Sequence, residues 1–537
     1  MRSMPGPARP VVDRRTFIQD AANSIAALAC ANQAVGATLL ALSPTQATAP
    51  ERRSVDFDPA FGTALNAAAA IRNREISSVE LTQHTLRRID AYEPALNAYV
   101  YLLRDQALAA AARADESLAR GTATGALHGV PINVKESFAV AGQPCTWGIP
   151  ALKPSRAPAH AVAVRRLLDA GAILLGGTNV PFQLKDHQTF NDVYGRTNNP
   201  WDLACTPGGS SGGTAASLAA GMAFLSIGSD IGGSIRGPAG FCGIYGHKPT
   251  LDLVSLAGHA PGGADVPAGF STLLAAAGPL ARSADDLALA LEVLGGPEPP
   301  DSKAFRWSLP PARHRALRDF RIGYVLEDPA VRVSAETLAV LEAAIRACER
   351  AGAAVRPGWP EGFRLNELIE VYFFLLGAFD FSMTPPAEQE HARRGLRTKP
   401  EALARGVRSG FAEWQQKNLA RLVYREMWED LFKSVDVFLS PTTFTTAFPH
   451  DPTPPDQRMI AMPEGGSQSF WNLLAYIAPA TLTGCPATTC PVDLSRSGVP
   501  VGLQVMGPYL EDATPIAFAR LLAQEIGGFQ PPPKYKA

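Results

Sequence analysis

Gly228-Ser229-Asp230-Ile231-Gly232-Gly233-Ser234-Ile235-Arg236 is the stretch on which the reading of this chain turns. It follows Phe224 to Ile227, a short apolar run that reads as a buried strand. Consecutive glycines permit positive φ and a close approach to the backbone, so several N–H groups can converge on one anion. Donors preset where negative charge develops are each worth about 2.7–4 kcal/mol in a transition state. Ser234, at the end of this nest, is placed to attack a carbonyl whose oxygen the nest holds. Read by itself, the segment is equally a glycine-rich turn between strand and helix.

Two further segments bear on that choice. Gly129 to Glu136 runs through the apolar residues Val130 to Val134 and ends on Lys135. A serine needs a base, and the histidines nearest these segments are His128, before the first, and His247, after the third. A lysine at the end of a buried strand is another candidate, because desolvation disfavours its charged form and leaves it able to accept a proton. An ordinary strand-end lysine would instead reach solvent or pair with Glu136. Between them lies Pro207-Gly208-Gly209-Ser210-Ser211-Gly212-Gly213, where Ser210 could pass a proton from Ser234 to Lys135. A phosphate loop would need Gly-Lys-Ser/Thr, which is missing.

Outward from these segments the pattern alternates between helix and strand. Ser77 to Glu80 forms a capping-box pattern that opens a helix through Leu86 and Ile89 towards Tyr92. Helices are also expected around Gln106 to Arg120 and His160 to Ala170, then a strand over Ala172 to Leu175. Gly213 to Ala220 reads as a small-residue helix ahead of the strand at Phe224 to Ile227. Ser283 caps a helix to Leu294 with Asp285 and Asp286 in its first turn, where the helix dipole favours them. Strands are expected at Arg321 to Leu326 and Val501 to Met506. The class is α/β. One large domain spans residues 50–537, with a core at about 60–330 and 433–530 and a helical insertion at about 334–432.

With 49 basic and 50 acidic residues in 537, there is no charge excess to draw the chain to nucleic acid or anionic lipid. The seven cysteines show no zinc-ligand spacing with histidine, and no metal or other cofactor is expected. The N-terminus reads as an address. Arg14 and Arg15 in DRRTFIQ resemble a twin-arginine export signal, and Ala47-Thr48-Ala49 offers an A-x-A cleavage pattern ahead of Pro50. Residues 1–49 are therefore expected to direct export to the periplasm or beyond, leaving a mature protein without a membrane anchor. The intervening stretch from Ala21 to Pro50 is too mildly apolar for a spanning helix.

Taken together the three segments resemble the amidase signature family. The resemblance extends to TNVPF from Thr178, TNNPWD from Thr197, GPLARSADDLALAL from Gly278, and LTGCPA and PVGLQVMG near the C-terminus. It implies a mixed β-sheet core surrounded by helices, and hydrolysis of a small-molecule amide. By that resemblance Ser234 is the acylated nucleophile, Ser210 the bridging serine after a cis peptide at Gly209, and Lys135 the base. The backbone N–H groups of Ile231, Gly232, Gly233 and Ser234 would form the oxyanion hole, braced by Asp230 and Arg236. Two departures stand out. Glu136 replaces a common aspartate, and Gln183 to Gln188 differs in the part that meets the acyl group, where Leu184 would line the pocket. Phe373, Phe374, Phe379, Met383 and Trp471 suggest an apolar or aromatic substrate.

Several alternatives stay open at this level. Gly208 to Gly212 also fits G-x-S-x-G, so Ser210 could be the nucleophile of an α/β-hydrolase with a later histidine. Replacing His247 or His259 by alanine is expected to abolish such an enzyme and spare a lysine-based one. The others are ester or carbamate hydrolysis, a non-catalytic binding protein, and one subunit of a glutamine-dependent amidotransferase. The sequence fits a monomer or a homodimer.

Overall fold

The computed structural model describes residues 57–122, 125–263, 271–298, 301–384 and 386–536. The export-signal reading of residues 1–49 lies outside the described residues, as does Cys30. Strand β2 is the backbone of the site, and its composition explains its position. Pro131-Ile132-Asn133-Val134-Lys135 is buried along its whole length, as expected for an inner strand with parallel neighbours and both faces covered.

In chain order the strands are β1 (Tyr99–Leu102), β2 (Pro131–Lys135), β3 (Ile173–Thr178), β4 (Phe190–Asn191), β5 (Gly195–Arg196), β6 (Leu225–Asp230), β7 (Tyr245–Lys248) and β8 (Ala276–Ala281). They continue with β9 (Arg321–Tyr324), β10 (Ala354–Pro357), β11 (Val437–Pro441), β12 (Met459–Ala461), β13 (Ser467–Ser469), β14 (Ala487–Leu494) and β15 (Pro500–Met506). Eleven of them form one mixed sheet in the order β1-β3-β2-β6-β8-β7-β14-β15-β11-β9-β10. The pairs β4/β5 and β12/β13 are small hairpins beside it. The α/β class and the single mixed sheet agree with the sequence expectation.

Local signals hold where the chemistry is local. Ser77 caps the helix Ser78–Leu96 by accepting from the Glu80 N–H, and the Glu80 carboxylate accepts in return from the Ser77 N–H. Gly171 has φ +90° and closes the helix Val162–Asp169 ahead of β3. Ser283 caps Ala284–Leu294 as expected. Asp286 does more than meet the dipole of its own helix. Buried in the core, it accepts from the N–H groups of Ala64 and Leu65 at 3.0 and 2.9 Å, tying a helix N-terminus more than 200 positions earlier to this one.

The stretch expected to be a helical insertion is more mixed than its composition suggests. Helix Ala335–Arg350 leads into β10, which pairs in parallel with β9 at the edge of the main sheet. The helices beyond the sheet are Leu365–Ser382, Pro386–Arg394, Glu401–Arg408 and Phe411–Leu431. Two of them touch backbone to backbone. A Cβ on Gly406 would lie 2.0 Å from the Phe374 carbonyl oxygen, and one on Gly377 would lie 2.2 Å from that of Leu403. Trp428 is fully buried against Trp359, Phe363 and Phe438, which joins this helical layer to the sheet.

Candidate active site

Parallel pairing brings the first two chemical groups together. β2 and β6 run side by side with Val134 opposite Ile227, so their C-terminal ends place Lys135 level with Gly228 and Ser229. Open α/β sheets build their sites at these carboxyl ends of parallel strands. The Lys135 side chain is fully buried there. Its ammonium nitrogen lies 2.7 Å from Ser210 Oγ and 3.0 Å from Ser229 Oγ, with the Ser229 carbonyl at 3.5 Å. Burial pushes this lysine down to about 7, against the pull of the Asp230 and Glu136 carboxylates. It is not paired with Glu136. That carboxylate faces the other way and accepts from the Thr146 N–H and hydroxyl and from the Trp147 N–H.

Ser210 reaches Lys135 because its loop is packed too tightly for side chains. A Cβ on Gly209 would sit 2.2 Å from the Asp186 carbonyl oxygen, and the Gly209–Ser210 peptide is cis. Ser234 lies between β6 and the short helix Arg236–Cys242, with its carbonyl accepting from the Ser211 N–H at 3.2 Å. The lysine half of the relay, Lys135 to Ser210, is thus closed. The Ser234 hydroxyl makes no hydrogen bond to Ser210 in this structure.

Asp230 organises the nest. Its carboxylate accepts from the N–H groups of Gly233, Ile235 and Arg236 and from the Arg236 guanidinium at 2.8 and 3.0 Å. Burial alone would raise Asp230, but the Arg236 charge and these hydrogen bonds hold it well below the usual carboxylate range. Arg236, also buried, is anchored in turn on the Ile477 carbonyl, Gln504 and Thr481. This arrangement corrects one expectation. The Gly233 N–H is committed to Asp230 at 2.9 Å, so it is not a free oxyanion donor. Among the described residues, the N–H groups of Ile231, Gly232 and Ser234 are left without acceptors and can serve.

Two side chains that sequence reasoning did not assign hold the nest from outside. Tyr372 donates its hydroxyl to the Ile231 carbonyl at 2.8 Å, and His187 Nε2 lies 2.8 Å from the Gly232 carbonyl. Because N–H and C=O oppose each other across a trans peptide, Tyr372 sets the direction of the Gly232 N–H, and His187 that of the Gly233 N–H held by Asp230. His187 Nδ1 is buried without a partner, and burial lowers the ring's pKa, so it stays neutral. Tyr372 adjoins Phe373 and Phe374 with no positional signal of its own, and His187 lies in the stretch Gln183 to Gln188 that departs from the family's commoner form.

The remaining expected residues scatter. Leu184 is half-buried in a turn with φ +61°, just ahead of the buried Asp186–Arg458 ion pair. Phe374 is core, Met383 is half exposed, and Trp471 packs edge-on against Phe373. Phe379 lines a cavity of about 440 Å³ with Leu375, Val407, Phe411 and Trp414, and none of the three chemical residues lines it. The histidines take other parts. His247 is buried between Thr488 and Asp512. His259 Nε2 lies 2.9 Å from Ser229 Oγ, directly behind Lys135. Among the described residues no histidine hydrogen-bonds Ser210 or Ser234, which argues against the G-x-S-x-G reading. It also removes the expected discriminator, since alanine at His247 or His259 would disturb a lysine-based site or its support. The six described cysteines are free and buried. No group of three or more His, Cys, Asp or Glu among the described residues is arranged to hold a metal ion.

The sequence model of the Amidase family matches residues 80–515, most of the chain. The chain belongs to the amidase signature family. A protein of Synechococcus sp. (strain CC9605), named as one of the subunits of glutamyl-tRNA(Gln) amidotransferase, is 32% identical over 482 residues, covering 82% of this chain and 92% of that protein. Among solved structures, a bacterial aryl acylamidase of the amidase signature family superposes with TM-score 0.72 at 25% identity, over 87% of this chain and 97% of its own. A structure described as an amidase gives 0.72 at 28% identity, over 87% of this chain and all of its own. This amidase-signature chain therefore shares both the family's sequence blocks and its fold.

Proposed function

We propose that the protein is an amidohydrolase that cleaves the C–N bond of a small apolar or aromatic amide through an acyl-enzyme on Ser234. The observation that carries this reading is the fully buried Lys135, held near neutrality and 2.7 Å from Ser210 Oγ. Neutral Lys135 takes the Ser210 proton as Ser210 takes that of Ser234, and Ser234 Oγ bonds to the carbonyl carbon. The oxyanion rests on the N–H groups of Ile231, Gly232 and Ser234. The proton then returns through Ser210 to the leaving nitrogen, the C–N bond breaks, and the amine departs. Water repeats the sequence on the acyl-enzyme and releases the acid. Amines leave poorly unless protonated, which is what the relay supplies. Apolar side chains pack around the nest, with Leu474 against Gly232 and Ile477 against Gly233, in keeping with an apolar acyl group. Leu184 is the residue we assign to meet that group.

A second reading has an observation in its favour, because the curated relatives are named as subunits of glutamyl-tRNA(Gln) amidotransferase. One screen separates the two. Purified protein is offered aryl amides such as p-nitroacetanilide, aliphatic amides, peptide amides, p-nitrophenyl esters, carbamates, and glutamine with glutamyl-tRNA. Hydrolysis of an amide, with fluorophosphonate labelling at Ser234, is expected. Ammonia transfer to tRNA, or labelled protein that turns over esters or carbamates alone, would replace the amidase reading. Folded protein that is neither labelled nor active would end it. We further propose that residues 1–49 direct export by a twin-arginine route. Arg14→Lys with Arg15→Lys should hold the protein inside the cell in fractionation, and unchanged export would refute it.

A further inference from the structure

The Lys135 ammonium nitrogen has three oxygen neighbours but is required to offer a lone pair to only one of them. A neutral amine has two N–H donors and one acceptor pair. Two of its neighbours belong to Ser229, the carbonyl and the hydroxyl, and the third is Ser210 Oγ. The carbonyl can only accept. The Ser229 hydroxyl can either accept from Lys135 or donate to it, and in the second case it would occupy the lone pair that Ser210 needs. What decides between them is where the Ser229 proton goes. His259 Nε2 stands 2.9 Å from Ser229 Oγ, the same oxygen that Lys135 meets at 3.0 Å.

We propose that His259 is a positioning residue that accepts a hydrogen bond from the Ser229 hydroxyl and thereby sets the direction of the hydrogen-bond chain, so that the Lys135 lone pair faces Ser210. This inference rests on the assignment of Lys135 as base. The chain then runs Ser210 O–H to Lys135, Lys135 N–H to Ser229 Oγ, and Ser229 O–H to His259 Nε2. It needs an imidazole that is neutral and protonated on Nδ1. The surroundings supply the first condition, and the contact of Nε2 with Ser229 Oγ leaves the proton to Nδ1. The ring is held between Phe138 and Trp147, with centroids 4.7 and 4.9 Å away, and burial and the neighbouring Lys135 charge both lower its pKa. The ionisable groups about Lys135 are Asp230 and Glu136 at the strand ends and His259 behind it. Asp230 is already neutralised by Arg236.

The test reads the rate of Ser234 labelling by a fluorophosphonate against pH, which needs no knowledge of the natural substrate. In His259→Phe the ring shape is kept and the acceptor is lost. The Ser229 proton then turns to neutral Lys135, which both blocks the lone pair and stabilises the neutral amine over the charged one. The expected result is a plateau lower by about tenfold or more, with the acid limb moved to lower pH. His259→Gln, whose amide oxygen can accept the same proton, should restore the limb and most of the rate. Ser229→Ala gives an independent measure should His259→Phe fail to fold: it withdraws an acceptor from the charged lysine, so its limb should move the same way. A purely packing role for His259 would lower the fraction of active protein and leave the limb in place. An unmoved or upward-moved limb in folded His259→Phe, or Gln and Phe variants that are equally impaired, would overturn the inference alone. Wild-type protein that is not labelled at Ser234, or whose labelling survives Lys135→Met, would overturn the base assignment beneath it.

Discussion

Lys135→Met is the perturbation that tests the proposed chemistry most directly. Methionine fills a similar volume without a titratable group, so it removes the base and leaves β2 packed. With Lys135 near 7, about half of the wild-type molecules carry the neutral base at pH 7 and about one in a hundred at pH 5. The acid limb of kcat/KM for p-nitroacetanilide should therefore bend near pH 7 and fall tenfold per pH unit below it. Loss of a general base costs about 10²–10⁴-fold, and the residual activity of the variant should show no limb near pH 7. Stability also rises with pH, but over the range above 7. Burial lowers Lys135 from 10.5 to about 7, so the unfolded chain binds more protons between these values. The penalty on the wild type is complete below pH 7 and disappears as pH rises to 10.5; at about 1.4 kcal/mol per pH unit it is on the order of 5 kcal/mol. Against it stands the Ser210 hydroxyl that the variant leaves unpaired, at about 1–3 kcal/mol, while Ser229 keeps His259 as its partner. Near pH 7 the difference favours the variant by about 2–4 kcal/mol, and its urea midpoint should be the higher. As pH rises towards 10 the wild type should gain on the variant. A variant that keeps more than a tenth of the activity, or a stability difference that does not change with pH, would refute the buried-base argument.

Three further perturbations probe the frame around the relay. Asp230→Asn leaves the buried Arg236 guanidinium without its counter-charge and should destabilise the fold by about 3–5 kcal/mol in denaturant titrations; a loss below about 1 kcal/mol would contradict the role given to this pair. Tyr372→Phe frees the Ile231 carbonyl, and at about 1–3 kcal/mol for the lost partner it should slow Ser234 labelling while the acid limb stays near pH 7. A displaced limb would mean that Tyr372 acts on Lys135 instead. Gly406→Ala places a methyl group 2.0 Å from the Phe374 carbonyl oxygen and should cost about 1–3 kcal/mol in thermal or chemical unfolding, whereas an unchanged midpoint would rule out the close helix contact.

Much of this was legible in one dimension because the physics is local. The capping box at Ser77 and Glu80, the stop at Gly171 and the cap at Ser283 involve groups within a few positions of one another, and the sequence states them directly. Lys135, Ser210 and Ser234 could be singled out because glycine-rich segments and a strand-end lysine are unusual company for ordinary packing. The edge strand β10 was hidden in a stretch whose mean composition is helical, since a four-residue strand leaves too short a periodicity to register.

What the amino-acid order determined by itself is the α/β class, the three segments that carry the chemistry and the residue types within them. Tertiary structure alone decided which donors of the nest are free, because the Gly233 amide is claimed by Asp230. It decided too that Tyr372 and His187 hold the nest's carbonyls, and that His259 stands behind Lys135 through Ser229. Each of these is a hydrogen bond between residues brought together by sheet register and helix packing. Such a bond depends on direction and on a few tenths of an ångström, and no spacing along the chain encodes either.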